Sequence, residues 1–126
     1  MPSDQFHRVE KLTGECEQER VVGQDDNPDF AGTWENYGST TAPVSFYKDQ
    51  FNRVWLRGTC KDSTGSPPST IFTLPEGYRP SKELNYSSID GTGTPSARIK
   101  ITAAGVVQCS AGNDSLIGLD GISWRV

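Results

Sequence analysis

The sequence predicts an all-β domain: a small antiparallel β-sandwich, jelly-roll-like, preceded by an extended N-terminal arm. Three observations carry that reading. From Ala31 onward, short alternating apolar and polar runs are broken by turn residues about every eight to twelve positions, the spacing of strands in a sandwich or barrel. Thirteen glycines and eight prolines in 126 residues supply the turns such a fold needs. No stretch sustains a helical period beyond a single turn.

Residues 1–30 form the arm. Val9, Leu12, Val21 and Val22 are too sparse for a helix, and "DDNPDF" (Asp25–Phe30) is a turn-rich linker. Two readings of this segment stand together: an arm that orders when it docks, with Phe6, Val9, Leu12, Val21, Val22 and Phe30 as its anchoring side chains, or a disordered tail. The domain then occupies residues 31–126, with expected strands at Gly32–Tyr37, Val44–Lys48, Val54–Cys60, Ser69–Leu74, Glu83–Ser88, Ala97–Thr102, Val106–Ser110 and Leu116–Val126. The last is expected to bend at Asp120-Gly121.

The hairpin Val44–Gly58 is legible to the level of register. If Lys48 faces Val54 across "DQFNR", then Phe46 faces Leu56 and Tyr47 faces Trp55. A period of two puts Val44, Phe46, Val54 and Leu56 on one face and Tyr47, Trp55 and Arg57 on the other, with Arg53 beside them. The first set is a core. A tryptophan on the second face points to a subunit contact or a ligand surface.

In "IFTLPEGYRP" (Ile71–Pro80) a buried strand ends abruptly. Pro75 cannot donate to a ladder, Gly77 permits a positive-φ turn, and Pro80 holds Arg79 extended. Tyr78 is then free to fold back on the sheet edge. Later, Ala97, Ile99 and Ile101 alternate with Arg98 and Lys100. Ile122, Trp124 and Val126 alternate with Ser123 and Arg125, which predicts a chain ending on a buried strand residue.

Hydrophobic residues make up only 33%, which suits a small domain completing its core against copies of itself. Residues 1–30 hold eight acids against three bases, and residues 31–126 nine bases against eight acids, for a net charge of −4. That balance carries no basic footprint for nucleic acid. "MPSDQFHRVE" has no apolar run, so neither signal peptide nor membrane segment is expected. The three cysteines, Cys16, Cys60 and Cys109, lack metal-ligand spacing and read as reduced thiols, with a Cys60–Cys109 bridge as the alternative.

Catalytic chemistry finds no foothold. The single histidine, His7, lies in the arm, which excludes a Ser-His-Asp or Cys-His arrangement within the domain. "DGTGTP" (Asp90–Pro95) lacks the third glycine and the helix of a phosphate loop. "DDNPD" (Asp25–Asp29) and "GNDSLIGLD" (Gly112–Asp120) offer oxygen ligands without a calcium-loop spacing. No cofactor or metal is expected. Trp34, Tyr37, Trp55, Tyr78 and Tyr86 are candidates for glycan binding, with Trp34 and Tyr37 in "GTWENYG" as the platform, and the packing alternative is that Trp34 docks the first strand.

The order of "FYKD" (Phe46–Asp49), "VWLRG" (Val54–Gly58), "IFTLPEGYRP", "IKI" with a glycine turn, and "LDGISW" (Leu119–Trp124) resembles the small C-terminal β domains of bacteriophage tail-fibre and minor tail proteins. The resemblance covers about residues 32–126, and its most specific part is Leu74-Pro75 with Gly77-Tyr78-Arg79-Pro80 followed by Leu119-Asp120-Gly121-Ile122. The hairpin loop departs from the pattern, with Asn52-Arg53 in place of a glycine. The resemblance implies a non-enzymatic virion protein, a homotrimer of β-sandwiches; residues 1–30, which it does not cover, are the free end expected to attach to other virion proteins. It also implies exposure on the particle, where contact with a host surface glycan is open to it. A capsid decoration protein clamped by its arm, and a free carbohydrate-binding module, are the alternatives. It implies structural work for Tyr78, capping the edge, and for Arg79, pairing with a carboxylate or backbone carbonyls, within the chain or across a subunit boundary. Tyr47, Trp55, Arg57, Tyr78 and Arg79 are thus the candidate oligomer or ligand surface.

Overall fold

The computed structural model describes residues 17–63 and 66–126. Within them the chain is all-β. Its strands are β1 (Arg20–Val21), β2 (Trp34–Asn36), β3 (Ser45–Lys48), β4 (Arg53–Arg57), β5 (Thr59–Asp62), β6 (Ser69–Thr73), β7 (Leu84–Ser88), β8 (Ala97–Ile101), β9 (Val106–Ala111), β10 (Ile117–Gly118) and β11 (Ser123–Arg125). They form three antiparallel sheets, ordered β1-β3-β4-β11, β10-β5-β2 and β6-β9-β8-β7. The first and third face each other across the core. Phe46 of β3 stacks on Phe72 of β6 with ring centroids 5.9 Å apart. The Tyr86 hydroxyl of β7 donates to the Ser123 carbonyl of β11 at 2.7 Å. The small middle sheet is tied to the third through Trp34 Nε1 to Ser69 Oγ at 3.1 Å and through Ser88 Oγ to the Gly118 carbonyl.

The expected hairpin register is the observed one: Lys48 opposite Val54, Tyr47 opposite Trp55, Phe46 opposite Leu56. Val44, Phe46, Val54 and Leu56 are buried, each large side chain contributing about 2 to 3 kcal/mol of apolar burial. Tyr47 and Trp55 are half-buried on the opposite face, and Arg57 is exposed. Asn52, in the glycine's place, takes φ +62°, a conformation that asparagine tolerates better than most side chains.

Two expected strands break. Val54–Cys60 divides at Gly58, and Leu116–Val126 divides at Asp120-Gly121 as anticipated. The breaks coincide in space, because β4 pairs β11 in one sheet while β5 pairs β10 in another. Both chains turn the corner together, as strands do when they switch sheets. Gly58 adopts φ +110°, and a Cβ there would collide with the Pro43 carbonyl and lie 2.6 Å from Val44 Cα. Its N–H donates to Asp120 Oδ1 at 2.8 Å and its carbonyl accepts from Leu119 N at 2.9 Å. The run "VWLRGTC" alternates too well for sequence alone to show this break.

The chain end also differs from expectation. Ile122 and Trp124 are buried, but Val126 is 48% exposed. Its backbone N–H still donates to the Asn52 carbonyl at 2.8 Å.

Residues from Glu17 to Val22 run along β3. Glu17 N donates to the Lys48 carbonyl at 3.3 Å, and Val22 N to the Val44 carbonyl at 2.9 Å, while Arg20 and Val21 pair with Phe46 and Ser45. Sequence reading left this strand out because two residues cannot display a period. Of the expected anchoring side chains, Val22 is 2% exposed within this chain's own core, Phe30 packs against that core, and Val21 is half-buried. Phe6, Val9 and Leu12 lie outside the described residues.

Candidate functional site

The site is built on the β3–β4 hairpin loop, and Asp49 organises it. Its Oδ1 accepts from Phe51 N at 2.9 Å and Arg53 N at 3.0 Å, and its Oδ2 accepts from the Trp55 indole at 3.0 Å. A short polar side chain bonding to the backbone two residues on is the Asx-turn solution. Here it also clamps an indole edge-on. Partial burial works to raise the Asp49 carboxyl, but the bonds from Trp55, Arg53 and Phe51 and the Arg53 charge outweigh it and hold it below the usual carboxylate value.

The loop thereby projects Phe51 at its tip, 59% exposed. Across the outer face of the sheet, Tyr47, Trp55 and Ser123 form one row. Arg53 and Arg125 form the next, directly opposite each other on β4 and β11. Asp49, Phe51, Arg53, Trp55 and Arg125 line a depression of about 420 Å³. Arg53 and Arg125 also border a second depression of about 420 Å³, with Lys82, Leu84, Tyr86 and Trp124 among its walls. The two depressions share Arg53 and Arg125 as walls, giving a groove in two parts. Arg53 is held there by a bond from Nη1 to Ser123 Oγ at 2.9 Å. Aromatic walls with a few fixed polar groups are the usual composition of a small-ligand site.

The depressed Asp49 carboxyl makes the loop acid-sensitive. Its contribution is present above the unfolded carboxylate value and is lost as pH falls through the lower folded one. Trp55 fluorescence is therefore expected to change below about pH 4 ahead of global unfolding. In Asp49→Asn that early phase should vanish, and an unchanged phase in the variant would place the titration elsewhere.

The other sequence candidates fall apart from one another. Trp55 lines the groove and Tyr47 lies beside it in the same row. Arg57 points toward the N-terminal segment, its Nη1 3.0 Å from Glu19 Oε1, and the Glu19 bond and charge raise its pKa. Tyr78 is 7% exposed and sits edge-on to Phe46 at 5.2 Å. Its hydroxyl accepts from Arg20 Nε at 2.8 Å and donates to the Glu17 carboxylate, 2.6 Å from Oε1. Burial first, and then Glu17, pushes its pKa up. Arg79 turns inward, its Nε donating to the Leu74 carbonyl at 2.9 Å over Gly105.

Trp34 is 4% exposed and its ring is covered, so it offers no face to a sugar. It packs because its alternation places it inward and Ser69 satisfies its indole. Tyr37 is 37% exposed, with Lys61 Nζ 5.7 Å from its ring centre. Cys60 and Cys109 are buried free thiols; burial, then the charges of Asp114, Asp90 and Asp62, push Cys109 up to about 11. Cys16 lies outside the described residues. Among the described residues no group of three His, Cys, Asp or Glu side chains could hold a metal ion.

Sequence reading missed Phe51, Arg125 and Lys82 as companions of Trp55, and had Tyr86 beside it only as a fellow glycan candidate. The loop "DQFNR" carried one usable signal, an aromatic in a tight turn where nothing could bury it. The others come from β7, β11 and the segment before β7, whose adjacency no local pattern announces.

No protein-family model matches the sequence, and no curated protein does. Among solved structures, the fold is similar to the crystal structure of the receptor binding protein (gp15) of Listeria phage PSA. The TM-score is 0.72 at 21% sequence identity, covering 97% of this chain and 71% of that one. At that identity the likeness is one of fold.

Proposed function

We propose that this chain is a non-enzymatic bacteriophage virion protein that contacts the host surface, and that the Phe51–Trp55 groove is where a surface saccharide docks. The observation that carries the reading is the fold shared with a receptor binding protein over 97% of the chain. The groove supports it, since an exposed ring beside fixed hydrogen-bonding groups suits a sugar's apolar face and hydroxyl rim. The chain works as a homotrimer, joined to the particle through residues 1–30. The exposed Tyr37 would meet neighbouring copies or virion partners.

Antibody raised against the chain, applied to intact particles from a genome that carries it and viewed by electron microscopy, tests the setting. Label at the distal tail is the expected result. Label spread over the shell would make this a capsid decoration protein, and no label on any particle would sink the virion reading. Mass in solution tests the assembly, with three times 13.8 kDa expected.

A further inference from the structure

We propose that the groove's ligand is an anionic saccharide, bearing phosphate or carboxylate groups, whose charge is recognised by Arg53, Arg125 and Lys82. This rests on the saccharide reading above and adds the ligand's class.

The starting observation is the register. Arg53 and Arg125 are direct cross-strand partners. Their side chains share the outer face, because Val54 and Trp124 between them and their neighbours are buried. Like charges directly opposite on one face destabilise an antiparallel pair. Lys82 lines the same groove. The one carboxylate in the lining, Asp49, already accepts from Phe51 N, Arg53 N and Trp55 Nε1. The ion pairs among the described residues lie elsewhere, at Arg20–Glu17 and Arg57–Glu19.

Arg53 and Arg125 thus border both depressions and Lys82 one of them, against one committed carboxylate, in a chain whose net charge is −4. A local conflict of this kind, kept at a cost in stability, marks a functional site, and an arriving anion would relieve it. Guanidinium forks match phosphate and carboxylate oxygens in pairs, and Ser123 holds Arg53 in place for that contact. Phe51 and Trp55 line the depression on one side of the arginine pair, and Tyr86 lines the one on the other side. That sequence of ring, charge and ring fits a saccharide chain better than an isolated ion.

The test is a saccharide array carrying each hexose oligomer in neutral, phosphorylated and uronic-acid form, probed with the intact chain at low and high salt. We expect one anionic form to bind about tenfold tighter than its neutral counterpart, with the advantage shrinking at high salt. Whether phosphate or uronate wins identifies the source of the charge. Arg125→Gln should remove the advantage, while Phe51→Ala weakens all forms alike. A second readout needs no ligand: at low salt Arg125→Gln should raise Tm, since it ends the repulsion. Equal binding of neutral and anionic forms overturns the inference and leaves the saccharide reading standing. An anionic preference that survives Arg125→Gln, or a fall in Tm, also overturns it. Binding to no form overturns both the inference and the saccharide reading, and leaves the virion setting to the labelling experiment.

Discussion

Gly58→Ala is expected to destabilise the domain by about 2 to 6 kcal/mol, a large part of the stability of a chain this size. Two costs combine. A side chain at φ +110° occupies backbone space that is essentially reserved for glycine, costing on the order of 1 to 3 kcal/mol. The added Cβ also meets backbone, the Pro43 carbonyl and Val44 Cα, which cannot rotate aside as a side chain would, adding about 1 to 3 kcal/mol of overpacking. Gly121→Ala is the matched control on the partner strand of the same corner. Gly121 has φ +84° but nothing within 4 Å of the added Cβ, so only the backbone cost of about 1 to 2 kcal/mol applies. Urea unfolding of both variants measures the difference. Equal losses would show that Pro43 gives way and that the corner is not set by close approach at Gly58.

Tyr78→Ala is expected to cost about 3 to 5 kcal/mol, the range for removing a buried aromatic. The ring closes one end of the core against Phe46, and its carbonyl accepts the Trp124 indole at 2.9 Å. Arg20 and Lys48 also lie over its face, 5.4 and 5.0 Å from the centroid. Tyr78→Phe separates the two roles. It keeps the ring and removes the hydroxyl that joins Glu17 and Arg20, at about 1 kcal/mol. Because that hydroxyl fastens the N-terminal segment, the loss should be local: faster hydrogen exchange at the Val22 amide, with β8 and β9 unchanged. If Val22 exchange does not change in Tyr78→Phe, the segment is held by the β3 ladder and the apolar burial of Val22 alone.

The same residue shows how far local pattern reaches. "LPEGYRP" announces a stop, a turn and an aromatic folding back, and the structure has all three. That the aromatic's hydroxyl would fasten residues 17–20 does not follow from those letters, since the partners are about 60 positions away. The groove divides in the same manner. Trp55 stood out because a tryptophan opposite a tyrosine on a non-core face is unusual. Arg125 looked like an ordinary outward residue of a terminal strand until its pairing with Arg53 was seen. For Trp34 the polar neighbours Glu35 and Asn36 suggested a platform and the first strand's docking suggested packing, and the alternation of its own strand turns it inward, as the packing reading requires.

By itself the sequence determined the all-β class, the faces and register of the β3–β4 hairpin, the stop at Pro75 and the bend at Asp120-Gly121. Each follows from a period of two and from the backbone limits of glycine and proline, which act within a few residues. The tertiary structure alone decided that β4 and β5 part at Gly58, that Glu17–Val22 lies on β3, and that Phe51, Trp55, Arg53, Arg125 and Lys82 share one groove. Those depend on which sheets pack together, and that is settled by burial and hydrogen bonding between segments far apart in the chain, where no local period carries information.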